Sequence, residues 1–301
     1  MRYAHILLAV ASEIWAIDEF KLDQIVSFLA LQASGEKLSA EELRARVARQ
    51  SERDVERRQG AVAILPLRGV IANRMNMMSD ISGGTSSEAF GRMFSAAVND
   101  PKVSAIVLDV DSPGGAVSGT DELSSLIFAA RGTKPIVAHV NAQAASAAYW
   151  IATAADEMVL TPSAEVGSIG VLGVHNDISA ALEKAGIKRT MMTAGRYKAE
   201  MAPSEPLSQD AMAYQQQRID AHYQSFVGAV ARNRGVDAAA VREGFGEGRM
   251  VSAADAVAIG MADRIATLDE VLAGLGAVDQ APATAKRAFA PQRAKRALAL
   301  D

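Results

Sequence analysis

Cysteine is absent from all 301 residues of the chain. That excludes disulfides and thiolate metal sites, and it suits a reducing compartment. Histidine is scarce: only His5, His139, His175 and His222 occur. None falls in an HExxH or comparable ligand spacing, so neither a metal nor any other cofactor is expected. No run approaches the roughly 18–20 apolar residues that cross a bilayer, so stable membrane insertion is not expected. An excess of one charge is also missing. Lys and Arg number 31 against 35 Asp and Glu, a net −4, which leaves no global footprint for nucleic acid.

What the chain does have is apolar material, 50% of its residues. That is enough for one large domain or two small ones. Apolar runs bounded by turn residues read as strands at 61–71 (AVAILPLRGVI), 103–108, 135–140 (PIVAHV), 157–160 and 189–193. Helical spacing recurs at 87–98, 121–131, 146–155, 176–185 and 208–234, the last closed by Gly235. Ser252 and Asp255 have capping-box spacing. Strands alternating with helices predict an α/β domain with a parallel sheet over 60–272.

The flanks differ from this body. Arg2 and the apolar residues 4–11 have some features of a short secretory signal with Ala9-Val-Ala11 as its cleavage site, but the run is short and secretion is not expected. The better reading of 1–59 is a helical N-terminal appendage. In it Trp15, Ile17, Phe20, Leu22, Ile25, Phe28 and Leu29 form one apolar face over 15–31, and a charged helix follows at 39–58. The Gly-, Ser- and Met-rich stretch 72–86 reads as a loop that serves as a substrate lid or a subunit contact, or else as core filling. Residues 273–301 read as a disordered Ala- and Pro-rich tail, its Lys286, Arg287, Arg293, Lys295 and Arg296 being the one place where nucleic acid could be held.

Four stretches carry candidate chemistry. In NAQAASAAYWIATAAD (141–156) a single serine, Ser146, follows a strand and opens a helix, whose N-terminus offers free N–H groups and a positive dipole end. In DSPGG (111–115), Pro113 and Gly114-Gly115 make a strand-to-helix turn able to aim an N–H at a developing oxyanion. VGSIGV (166–171) and GRYK (195–198) complete the set. Taken singly, these are also what an Ala-rich core helix, a plain turn and a surface lysine look like.

In this order, and with GRMVSAADAVAIGMADRI (248–265), the stretches resemble the signal peptide peptidase A family of serine peptidases over roughly residues 60–270. SEIWAIDEFKLDQIVSFL (12–29), the SAAYW form of the serine helix and GVHNDIS (173–179) make the chain most similar to its lambda-type phage head maturation proteases. The resemblance implies a Clp-protease/crotonase-like spiral of βαβ units. It implies Ser146 as nucleophile, Lys198 as general base, Ser168 orienting the lysine amine, and the N–H groups of Gly115 and Ala147, beside Gly114, as the oxyanion hole. It further implies small apolar residues before the cleaved bond and a homo-oligomer acting on polypeptides, scaffold or capsid proteins, in the host cytoplasm or the prohead. A cellular signal-peptide peptidase and an acyl-CoA-binding crotonase-like protein are the alternatives. A second base is also open: His175, with Asp177 close by, stands where a Clp-type Ser-His-Asp triad would place its histidine. Asp109 and Asp111 read as residues that end their strand and fix the glycine turn.

Overall fold

The computed structural model describes residues 13–18, 21–24, 26–27, 57–74 and 84–277, and within them strands and helices alternate. The strands are β1 (Trp15–Ile17), β2 (Arg57–Gln59), β3 (Val62–Arg68), β4 (Val70–Ala72), β5 (Gly84–Ser86), β6 (Ala105–Ser112), β7 (Gly114–Ala116), β8 (Ile136–Ala145), β9 (Glu157–Leu160), β10 (Glu165–Gly167), β11 (Met250–Ser252) and β12 (Arg264–Ile265). The helices are α1 (Ser87–Asn99), α2 (Thr120–Ala129), α3 (Ala147–Ala152), α4 (Ser179–Lys184), α5 (Gln209–Arg234), α6 (Ala238–Gly244), α7 (Ala253–Ala258) and α8 (Leu268–Gly274). The charged helix expected at 39–58 lies mostly outside the described residues, as do 75–83 of the Met-rich loop and the tail beyond 277.

The larger sheet is built around β6 and β8, which pair in parallel, with β3 parallel to β6 on the far side. Both faces of these strands are covered, which is why they read as near-continuous apolar runs, AIVL in β6 and IVA in β8. β8 is long enough to change neighbour along its length. Val137 to Val140 lie beside β9, whereas Gln143 to Ala145 lie beside β10. The second sheet is small and runs in the order β1-β7-β4-β5. Successive parallel βαβ steps (β3-α1-β6, β6-α2-β8, β8-α3-β9) and a smaller second sheet are the architecture expected of a Clp-protease/crotonase-like spiral.

The helices hold the sheet through their apolar faces. α1 buries Phe90, Phe94 and Ala97 and is capped by the Ser86 side chain, which accepts the Ala89 N–H at 3.2 Å. α5 begins on Ser208 and ends on Gly235, whose φ of 67° supplies the left-handed turn. α3 is buried on all sides, and its Trp150 stacks on Phe226 of α5 with ring centroids 4.6 Å apart. Such a pair contributes about 0.5–1.5 kcal/mol beyond area burial.

Four expectations are corrected. Residues 15–17 are extended rather than helical; the described helical residues are 21–24 and 26–27, with the Leu22 N–H bonded to the Asp18 carbonyl. The apolar face read over 15–31 thus joined a buried strand to a helix: where every residue of a short stretch is buried, periodicity cannot choose between the two. Residues 189–193 form no strand and are mostly exposed. Helical spacing in α5 marks Met212, Ile219, Tyr223, Phe226, Val227 and Val230 as a buried stripe; Phe226, Val227 and Val230 are buried, but Met212 is 57% exposed. Finally, β6 does not end at its aspartates but continues through Ser112.

Candidate active site

Ser146 sits where β8 gives way to α3, with φ 54° and ψ −116°. A positive φ at a residue with a side chain stores roughly 1–3 kcal/mol and persists only where the surroundings over-determine it. Here they do. The Ser146 N–H donates to the Gly167 carbonyl at 2.7 Å, and the Trp150 N–H donates to the Ser146 carbonyl at 2.9 Å. Ala144, Ala145, Ala147 and Ala148 are completely buried, so the turn is clamped by backbone and methyl groups. One turn on, the buried Tyr149 hydroxyl donates to the Met261 carbonyl at 2.9 Å and ties α3 to the body; burial pushes its ionisation well above the usual phenol range.

The Ser146 residue is itself fully buried, and its Oγ donates to the Gly170 carbonyl at 3.3 Å. The Ala147 N–H, first in α3, has no acceptor among the described residues, as expected for the opening N–H of a helix. An unoccupied donor one residue beyond a strained hydroxyl is the layout of an acyl-transfer site.

The glycine turn is held by Ser112. Its hydroxyl donates to the Gly69 carbonyl at 2.6 Å and accepts the Gly114 N–H at 3.2 Å. Gly114 has φ 98°, and a methyl on Gly115 would stand 1.9 Å from the Ile71 carbonyl oxygen, so the second position admits only glycine. Of the expected oxyanion donors, Gly114 is therefore engaged, while Gly115 lies opposite Ala16 of β1. Asp109 does not fix the turn: it is buried and forms an ion pair with Arg68. Asp111 is half-buried, and burial raises its carboxyl against the opposing pull of Arg68. Sequence reading passed over Ser112 although it lay inside the quoted DSPGG. The Gly167 and Gly170 carbonyls leave no sequence signal beyond the glycines themselves.

Ser168 has φ 52°, and its N–H donates to the Arg249 carbonyl at 2.9 Å. Gly167 before it has φ 122°, in close contact with Arg249 across β10 and β11. Lys198 is exposed on a turn closed by its own N–H to the Gly195 carbonyl at 3.1 Å. Among the described residues its amine makes no hydrogen bond or ion pair, and so none to Ser146 or Ser168. Within one chain the structure thus assembles the serine turn and the glycine turn but not the lysine. His175 is not brought to Ser146 either. Its Nε2 lies 3.3 Å from the Glu205 carbonyl, and Asp177 accepts the Ser179 N–H at 2.8 Å. Among the described residues no group of His, Asp and Glu could hold a metal ion.

A family model described as Peptidase family S49 matches residues 129–280. The capsid assembly protease C of Escherichia phage lambda is 32% identical over 246 residues, covering 80% of this chain and 56% of that protein. The head-tail preconnector protein GP5 of Enterobacteria phage P21 is 33% identical over 180 residues, 60% of this chain and 36% of that protein. Protease 4 of Salmonella typhi is 30% identical over 215 residues, 71% of this chain and 34% of that protein. The chain thus spans about half or less of these relatives' lengths. Among solved structures, the 1510-N membrane-bound stomatin-specific protease aligns with TM-score 0.44 at 14% identity, covering 72% of this chain and 84% of that one. An enoyl-CoA hydratase/isomerase family member aligns with TM-score 0.44 at 16% identity, covering 74% of each chain. Neither likeness is close enough to argue from.

Proposed function

This chain belongs to peptidase family S49, and on that premise we propose that it is a serine endopeptidase in which Ser146 attacks the scissile carbonyl and Lys198 takes its proton. The observation that carries the reading is the conformation of Ser146: a buried hydroxyl on a strained strand-to-helix turn, followed by the unoccupied N–H of Ala147. A serine hydroxyl is a poor nucleophile until a base accepts its proton. As Oγ bonds to the carbonyl carbon, the carbonyl oxygen takes up negative charge, and the N–H groups of Ala147 and Gly115 stabilise it. Each such donor contributes about 3–4 kcal/mol to the transition state. Collapse of the tetrahedral species expels the amine, which leaves with the proton held by the base. Water then attacks the acyl-serine by the same route in reverse.

Lys198 can serve only when water is removed from it, because burial is what disfavours the charged amine. In the single chain it is exposed. A covering partner is called for, and the exposed apolar residues of the 189–214 stretch that holds it (Met192 at 94%, Tyr197 at 56%, Met212 and Tyr214) fit a homo-oligomer that closes over this region. Ser168, on the turn after β10, would then meet the amine and orient it.

The substrates are polypeptides, and similarity to a capsid assembly protease and to a head-tail preconnector protein of phages favours scaffold or capsid proteins cut during phage head maturation. The similarity to Protease 4 supports a second reading, a cellular peptidase, for which the motifs shared with the signal peptide peptidase A family suggest cleaved signal peptides as substrates. Incubation with an unfolded capsid or scaffold protein, followed by mass analysis of the products, tests the activity. New termini with the wild type and none with Ser146→Ala are expected. Equal cleavage by both proteins would exclude Ser146 as the nucleophile.

A further inference from the structure

Residues 13–18 lie along the glycine turn, which touches the backbone just before Ser146. β1 runs antiparallel to β7, with Trp15 opposite Ala116, Ala16 opposite Gly115 and Ile17 opposite Gly114. Just outside this register the Asp18 N–H donates to the Pro113 carbonyl at 2.9 Å, and the Val117 N–H donates to the Ile14 carbonyl at 3.2 Å. On its other edge Trp15 exchanges both backbone hydrogen bonds with Leu172, each 2.9 Å long. The even-numbered residues are therefore read by the glycine strand and Trp15 by the stretch that follows Gly170. A short extended segment bonded on both edges is how a groove holds a peptide by strand addition.

The register puts one peptide bond over the chemistry. Antiparallel pairs alternate between bonded and non-bonded. With 18/113 and 14/117 bonded, Ala16/Gly115 is the next bonded pair, so the Ala16 carbonyl faces the Gly115 N–H, an expected oxyanion donor. A methyl built on Gly114 would lie 2.4 Å from the Ala16 carbonyl oxygen, 3.0 Å from the Ala145 carbonyl oxygen and 3.1 Å from the Ile17 Cα. The Ala16–Ile17 bond and the backbone just before Ser146 thus converge on one glycine. Ala16 is also the small apolar residue expected ahead of a cleaved bond. Meanwhile Ser146 has no solvent exposure at all, and a nucleophile shut off from solvent cannot meet a free chain.

We infer that residues 14–18 are an internal occupant of the peptide groove, a pseudosubstrate with Ala16–Ile17 laid over the oxyanion glycines, and that the groove is closed to other polypeptides until this segment is displaced. The inference rests on the reading of Ser146 as the nucleophile. Tethering explains why so short a strand suffices: a linked segment acts at an effective concentration of order millimolar, so it excludes dilute substrates without binding tightly.

Two full-length proteins test this, both carrying Ser146→Ala so that binding is read apart from turnover. In the first, a specific protease site is inserted between positions 36 and 37, and the folded protein is nicked there. In the second, Ala16→Arg forces a long cation opposite the glycines. The probe is a fluorescein-labelled peptide with the sequence SEIWAIDE, followed by anisotropy at submicromolar protein. The intact chain is expected to bind it at least about tenfold more weakly than the nicked chain, because nicking removes the tether's advantage. Ala16→Arg is expected to bind the peptide while keeping the cooperative thermal transition of its parent. Equal peptide binding before and after nicking would overturn the inference. So would an Ala16→Arg protein that loses its thermal transition and gains no binding, since residues 14–18 would then be an ordinary structural strand. If nicking opens the groove but nicked protein with Ser146 restored cleaves nothing, residues 14–18 remain an internal occupant of a peptide-binding groove, while the peptidase reading, and with it the name pseudosubstrate, fails.

Discussion

Ser112 decides the shape of the glycine turn, because one hydroxyl both accepts the Gly114 N–H and donates to the Gly69 carbonyl. Ser112→Ala takes this partner from the buried Gly114 N–H and from the part-buried Gly69 carbonyl. A loss of about 1–3 kcal/mol in urea unfolding is expected, with a larger fractional loss of turnover as Gly114-Gly115 relaxes. His139 makes a separate prediction. It is buried on β8, its Nε2 lies 3.3 Å from the Ala266 carbonyl, and its Nδ1 has no partner. Burial depresses its pKa below the usual imidazole value, outweighing the opposing pull of the Ala266 carbonyl and Asp109; Arg264 adds to the depression. The folded ring is therefore neutral at a pH where the unfolded ring, titrating near about 6.5, already binds a proton. Stability should be full above that value and fall as the pH drops below it, down to the depressed folded value. His139→Asn should flatten this part of the pH–stability curve. A curve unchanged by the substitution would remove His139 from the account. At this scale the sequence showed the motifs but not their wiring. DSPGG marked the turn, yet Asp109 and Asp111 drew the attention that Ser112 required, because an ion pair such as Arg68–Asp109 joins residues far apart in sequence.

Among the elements, those with strong local signals were legible. α5 could be read from its helical spacing and Gly235, and β6 and β8 from apolar runs that only a sheet covered on both faces needs. Local signals failed where tertiary partners choose the conformation. Trp15–Ile17 is a strand because β7 and Leu172 supply its hydrogen bonds from both sides, and no spacing within 15–31 announces that. Residues 189–193 (RTMMT) find no neighbouring strand, so they stay irregular. The small sheet depends on a close crossing at one glycine, which gives a prediction at this scale. Gly115→Ala drives a methyl into the Ile71 carbonyl, and overpacking of this kind costs about 1–3 kcal/mol or more. A lowered melting temperature with loss of turnover is expected, and an unperturbed Gly115→Ala enzyme would mean that β4 and β7 are not so closely apposed.

For the molecule as a whole, the body around β6 and β8 is buried and self-sufficient, whereas the segment from Val174 to Tyr214 is rich in exposed apolar side chains. Lys198 stands within that segment. The strained serine turn proposed as one half of the site is made locally by strand, turn and helix, so the sequence marks it. Lys198, proposed as the other half, enters only through family resemblance, and the single chain does not bring it to Ser146. An assembled enzyme should show a mass of several protomers in light scattering, and Met212→Glu with Tyr214→Glu should reduce both the mass and the activity. Full activity in a monomeric double variant would contradict assembly as the source of Lys198 burial.

The most direct test of the Ser146–Lys198 assignment is cleavage of one unfolded protein substrate by the wild type, Lys198→Ala and His175→Ala, run in parallel on assembled protein. The account predicts that Lys198→Ala loses turnover by a factor of about a hundred or more, the scale of a positioned general base, while His175→Ala keeps most of it. A dead His175→Ala enzyme beside an active Lys198→Ala enzyme would contradict it and make the site a histidine-based triad.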